Sequence, residues 1–212
     1  MIVEWGLMLL AGAAAVAYGV AFIDRPSSPW RTLVKTGTIG LIAVLAVYRG
    51  GVLILIVGLT LSALGDAALE GRGRAWLRAG LCAQGLAGLI YALMFIDGGG
   101  GRGALIVEPA RVLGVALAVA VFAGFGALAW DRLDGLRIEA VGWLAATAIA
   151  VIAAMTLSHY LWSAALGALC LLASVTVGVV ELVRGARTPL TGQLAWWPHV
   201  AGLALIAAAV LQ

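Results

Sequence analysis

Eight apolar stretches, each near the length of a membrane-crossing helix, decide what this chain can become. Their approximate limits are 2–22, 33–48, 52–69, 76–96, 109–129, 138–157, 161–183 and 194–211. A helix crossing the hydrocarbon of a bilayer needs about 20 such residues, with a range of ~17–25. The breaks between the stretches are chemically distinct. Asp24-Arg25-Pro26-Ser27-Ser28-Pro29 ends the first, Arg49-Gly50-Gly51 separates the second and third, and Gly71-Arg72-Gly73-Arg74 the third and fourth. Asp97 with four glycines and Arg102 ends the fourth, and Asp131-Arg132-Leu133-Asp134-Gly135 splits the fifth from the sixth. Ser158-His159-Tyr160 is a tight turn, and Arg184 to Thr191 links the last two. The expected fold is all-α: a polytopic bundle of eight transmembrane helices forming a single membrane domain over residues 1–212.

Composition agrees. The chain is 64% hydrophobic and 11% charged, with a mean hydropathy of +1.10, which leaves no room for a separate soluble domain. Its 29 glycines suit helices that approach closely through small residues. A net charge of +3 gives no reason to expect a nucleic-acid partner. Cys82 and Cys170 fall inside apolar spans and read as buried small hydrophobes, neither a disulfide nor a metal pair. No Lys or Arg precedes Arg25, so the first stretch reads as a retained helix and not as a signal peptide.

The basic residues set a direction. One set of alternate connections holds Arg25, Arg31, Lys35, Arg72, Arg74, Arg78, Arg132, Arg137, Arg184 and Arg187; the other holds Arg49, Arg102 and Arg111. By the positive-inside rule the first set is cytoplasmic and both termini lie outside, in the periplasm if the membrane is a bacterial inner membrane. Asp66 then lies about 6 Å above the cytoplasmic end of its helix at ~1.5 Å per residue. Lys35 lies about one turn in from the same face. Most of the eight tryptophans fall near span ends, as an aromatic belt requires.

Asp66 is the only ionisable group in the run Val52–Leu69. A charge at the centre of a membrane helix costs at least ~2.5–3.5 kcal/mol, so it marks a functional site or a specific partner. Gly58, Ser62 and Asp66 recur every four residues and form one stripe. The seventh span carries a similar stripe, Gly167, Cys170, Ser174, Gly178 and Glu181. The echo suggests a duplicated four-helix unit with its stripes facing; chance likeness between Gly/Ala-rich helices is the alternative. Asp66 is either a proton donor in a pocket or one half of a structural ion pair with Lys35. His199 follows Trp196-Trp197-Pro198 and is either a site residue or an interfacial one among aromatic anchors. Glu181, Asp24 and Glu70 read as helix-end charges. Two histidines on opposite faces, without HExxH, offer no histidine-rich zinc site, and no GxSxG or P-loop pattern occurs.

The order of these pieces resembles the YhhN-like lysoplasmalogenase family of eight-span membrane proteins. Val34-Lys35-Thr36-Gly37-Thr38 stands where that family has a KPLT-like start to its second span, and Gly65-Asp66 with Leu69 matches its GD-L ending of the third. Tyr91 and Phe95 keep the spacing of the fourth span, Gly167-Ala168 and Ser174 that of the seventh, and Trp196-Trp197 with His199 the opening of the last. The chain departs from the pattern at Thr36 for proline, Gly88 for histidine and Val175 for a second acid.

The resemblance implies hydrolysis of the vinyl-ether bond of lysoplasmalogen or a related lysolipid, without a cofactor. Asp66 would be the acid, with His199 positioning water and Glu181 or His199 taking the part of the missing acid. Lys35 or Arg31 would hold the phosphate, and Ser62, Ser174 and Tyr91 complete the substrate-binding set. The missing acid also fits a non-catalytic lipid-binding or transport protein on the same scaffold. A lone membrane acid fits a proton-coupled carrier. Oligomeric state is open.

Overall fold

The computed structural model describes residues 2–99 and 108–211. Gly100, Gly101 and Arg102, which belong to the expected loop after the fourth span, lie outside them. Among the described residues the secondary structure is helical. Eight long helices run in order: α1 Ile2–Ala17, α2 Pro29–Tyr48, α3 Leu53–Leu69, α4 Arg74–Asp97, α5 Pro109–Arg132, α6 Arg137–Ala154, α7 Trp162–Arg184 and α8 Pro189–Val210. With the π-helical turn Tyr18–Phe22 added to α1 and the 3₁₀ turn His159–Leu161 added to α7, seven are long and apolar enough to cross a membrane, and α3 is an apolar helix of 17 residues. This is a polytopic membrane bundle.

Local signals set the helix ends. Ser28 caps α2, its side chain accepting from Arg31 N, with Pro29 in the first turn. The helix therefore starts four residues before the apolar run does and carries Arg31 and Lys35 on its inner face. Thr188 and Thr191 form a capping box on α8, again with proline in the first turn. Gly185 ends α7 with φ of +63°, a left-handed residue that glycine adopts without a Cβ clash.

Contacts between loops gather each end of the bundle. At one end Ser27 Oγ donates to Glu70 O at 3.0 Å, Arg78 to Gly135 O at 2.7 Å and Arg74 to Asp134 O at 3.4 Å. Most of the arginines cluster there, and it is called the basic end below. At the other, Arg49 pairs with Glu4 and donates to Leu211 O, and Gly99 bridges Leu157.

Packing relies on small residues. A Cβ on Gly167 would stand 2.7 Å from Gly202 O, and one on Gly202 would stand 2.8 Å from Gly167 O, so α7 and α8 touch backbone to backbone. Around this contact α2, α3, α4, α6, α7 and α8 form the inner set, while α1 and α5 pack on the outside with much of their surface exposed.

Several sequence expectations change. Cys82 is exposed on the outer surface of α4 and Cys170 is half-buried, both free; apolar flanks say that a helix is in lipid, not which side faces it. Trp143 and Trp196 are buried in the bundle and do not serve as a belt. Arg111 is fully buried. Its Nε donates to Glu108 at 2.8 Å, and its Nη1 donates to Met155 O at 3.0 Å and to Leu157 O. It supplies donors to carbonyls left open past the C-terminus of α6, a need that water cannot meet inside the bundle.

Candidate functional site

Asp66 sits one turn from the end of α3, where α2 and α8 converge on it. It is 3% exposed, and the polar side-chain atoms that approach its carboxylate are nitrogens. Lys35 Nζ lies 3.3 Å from Oδ1, Gln84 Nε2 donates to Oδ1 at 3.1 Å, and His199 Nε2 lies 3.2 Å from Oδ2. The His199 contact is close in distance but off the alignment of a hydrogen bond, so Oδ2 and Nε2 have no aligned partner among the described residues. The other contacts hold the carboxylate from one side only.

The network extends away from Asp66. Lys35 Nζ also lies 3.5 Å from Glu70 Oε1, and Arg31 Nε lies 3.1 Å from Glu70 Oε2. Tyr18, at the π-helical turn, donates to Glu70 Oε1 at 3.1 Å, and Arg31 Nη1 donates to Arg25 O. Two cations and two carboxylates are thus buried together. Removing charges from water costs several kcal/mol per ion, and this arrangement offsets it by alternating sign and by the hydrogen bonds from Tyr18 to Glu70 and from Gln84 to Asp66.

Beside the network lies a chamber of about 440 Å³. Its polar wall includes Lys35, Asp66, Glu70, Gln84 and His199; its apolar wall includes Leu77, Leu81, Leu136, Trp143 and Leu182. Exposed residues Gly185 to Arg187 border its mouth at the basic end. Glu181 lines the chamber, accepts from Thr191 Oγ1 at 2.6 Å and lies 3.6 Å from Arg187 Nε.

The structure brings Asp66, Lys35, His199, Glu181 and Ser174 to one cavity. Ser174 donates to Ala195 O at 2.7 Å, occupying its hydroxyl with the α8 backbone. The remaining expected residues stand elsewhere. Arg31 is outside the chamber wall, committed to Glu70, Tyr18 and Arg25. Ser62 and Tyr91 lie deeper, 3.1 Å from each other, on a separate slot of about 20 Å³. The acid end of the α3 stripe and the Ser174–Glu181 part of the α7 stripe face the same chamber. Higher up, each stripe packs on its own neighbour, Gly58 against the Tyr91 ring and Gly167 against Gly202.

Glu70, Gln84, Tyr18 and Arg187 are the residues that sequence reasoning passes over. Gln84 carries the clearest signal of the four, being an amide alone in the apolar stretch Ala79–Ile96. Among the described residues no group of three or more His, Cys, Asp or Glu is placed to hold a metal ion.

No curated protein and no solved structure matches the chain. A family model described as the YhhN family matches residues 30–210, from the first turn of α2 to the last residue of α8. The match takes in the whole chamber wall, and the chain belongs to the YhhN family of integral membrane proteins.

Proposed function

We propose that this protein is a membrane-embedded hydrolase of single-chain ether lipids, cleaving the vinyl-ether bond of lysoplasmalogen or a close relative. The observation that carries the reading is the buried Asp66–His199 contact in the polar wall of a chamber that is otherwise largely apolar. A vinyl ether is cleaved by adding a proton to its β-carbon. The π electrons form the new C–H bond, and the positive charge rests on the adjoining carbon and ether oxygen as an oxocarbenium ion. Water adds to that carbon and returns a proton to the pair, and the hemiacetal collapses to a fatty aldehyde and a glycerophospho alcohol. A proton carried by one member of the Asp66–His199 pair serves the first step, and the Asp66 carboxylate stabilises the cation. Gln84 and Lys35 hold Oδ1, leaving Oδ2 for this work.

The phosphate of such a lipid falls to Arg187. Arg31 and Lys35 are each engaged with buried carboxylates, whereas Arg187 stands at the mouth with a single 3.6 Å carboxylate neighbour. We further infer that the basic end faces the cytoplasm, from the ten-to-three distribution of Lys and Arg.

The test is aldehyde release from a lysoplasmalogen in liposomes containing the purified protein, compared with Asp66→Asn. Release by the parent and its loss in the variant support the reading; undiminished release by the variant ends it. Retention of a lipid with no product over hours would instead support a binding or transport role. The charge-balanced Arg31–Lys35–Asp66–Glu70 cluster, which is also a stable structural element, favours that second reading.

A further inference from the structure

The slot beneath the chamber has no role in the chemistry above. It shares Gln84, Trp143 and His199 with the chamber and begins where the chamber ends. From there it runs along α4 to Phe95, eleven residues on and roughly 16 Å deeper at ~1.5 Å per residue. Its lining is mostly apolar and includes Val175, Leu203, Ile206 and Phe95, with Ser62, Tyr91 and Thr147 among its polar members. At about 20 Å³ it has room for one water, since a single water needs ~10–15 Å³. The slot is mostly apolar, partly open and in line with the chamber, in a bundle that elsewhere packs backbone to backbone at Gly167 and Gly202.

The chamber alone is too small for a long-chain lysolipid. At about 440 Å³ it lies in the lower part of the ~300–1,000 Å³ range of small-molecule sites. That accommodates a head group, a glycerol and the first carbons of a chain. The remaining methylenes need an apolar path, and burying each is worth about 0.8 kcal/mol. In an ether lysolipid the polar and apolar halves meet at the ether bond. In the protein the polar wall of the chamber and the apolar slot meet at His199, beside Asp66.

We propose that the slot is the closed throat of a channel for the aliphatic chain of a single-chain lipid, which enters past Trp143 and Gln84 and lies between α4, α7 and α8. The proposal takes its ligand class from the hydrolase reading but is testable without it. Only the walls of the throat have to yield on entry; the chamber and its charged network stay as they are.

The experiment uses the full chain in nanodiscs and a saturated 1-O-alkyl lysophosphatidylcholine carrying a diazirine at the chain terminus. This probe has no vinyl ether and cannot be turned over. Photolysis followed by peptide mapping is expected to place label on Phe95, Leu203, Ile206 or their neighbours in the slot. Excess unlabelled lysolipid should remove it, and Val175→Phe should lower it about tenfold while labelling of lipid-facing α5 stays constant. Label confined to the outward faces of α1 and α5, or slot label untouched by Val175→Phe, would overturn the channel. If Val175→Phe does not fold, the position of the label in the parent protein decides alone. Slot labelling without aldehyde release from a vinyl-ether lipid would keep the channel and sink the hydrolase; aldehyde release without slot labelling would do the reverse.

Discussion

His199 Nε2 and Asp66 Oδ2 lie 3.2 Å apart across the joint between α8 and α3, both more than nine-tenths buried, and neither has an aligned hydrogen-bond partner among the described residues. The contact joins two helices that otherwise touch little, and it does so where the chamber ends.

If this contact supplies the proton, Asp66→Asn and His199→Gln should each lower aldehyde release by about 10²–10⁴-fold, the usual worth of a positioned acid or base. The double variant should fall little further, because the two act as one unit. Liposome assays on the three variants check both statements, and additive losses would argue for separate roles.

Lys35→Met leaves Asp66 and Glu70 buried without the cation between them. Breaking a buried pair by removing one partner costs about 3–5 kcal/mol, so thermal unfolding in detergent should shift down clearly. Combining Lys35→Met with Asp66→Asn should restore part of the loss. No recovery would mean that Lys35 acts through packing alone.

Arg187→Ala should raise KM for a phosphate-bearing lysolipid by about tenfold, near 1.4 kcal/mol for a charge-assisted contact at an open mouth, with kcat little changed. A loss confined to kcat would move Arg187 from head-group binding to a structural duty with Glu181.

Gly167→Val forces atoms into the space held by Gly202 O, and overpacking of this kind costs about 1–3 kcal/mol. Gly6 and Gly12, whose missing side chains face open space, should accept the same change without loss of melting temperature.

Glu108 offers a pH test away from the membrane interior. The hydrogen bond from Arg111 holds its carboxyl below the ordinary value, with His159 adding to the effect. A depressed folded value means that the contribution is present above the unfolded value and is lost as pH falls through the folded one. Glu108→Gln should therefore flatten the acid side of the stability profile and leave neutral pH less affected. An unchanged acid limb would show that Glu108 is energetically silent.

The bundle was legible because the length of an apolar run is a direct physical constraint in lipid, and Asp66 with Lys35 was legible because each is a rare charge at matching depth. Other parts followed different rules. Glu70 reads as a helix-end charge, but the chain beyond α3 turns beneath Ser27 and Arg31, and the carboxylate ends up 8% exposed. Arg111 counts as a loop cation in any topology rule, yet the open carbonyls beyond α6 draw it inward. Cys82 faces outward because hydropathy along an apolar helix does not distinguish lipid from core. Arg31 has the right charge for a phosphate and the wrong neighbours, since only coordinates reveal that Glu70 already occupies it.

Pro198 lies inside α8, immediately before His199, and has no N–H to return to the carbonyl four residues earlier. A helix with a missing rung bends there at lower cost than elsewhere. The Pro189–Trp197 half of α8 is tied by side chains instead, with Ser174 donating to Ala195 O, Trp196 Nε1 to Ala15 O and Gln193 Nε2 to Gly19 O, while the half beyond Pro198 is clamped to α7 through Gly202. The imidazole beside the missing rung is therefore fixed from both sides of the break, by side-chain ties toward the basic end and by backbone contact beyond it.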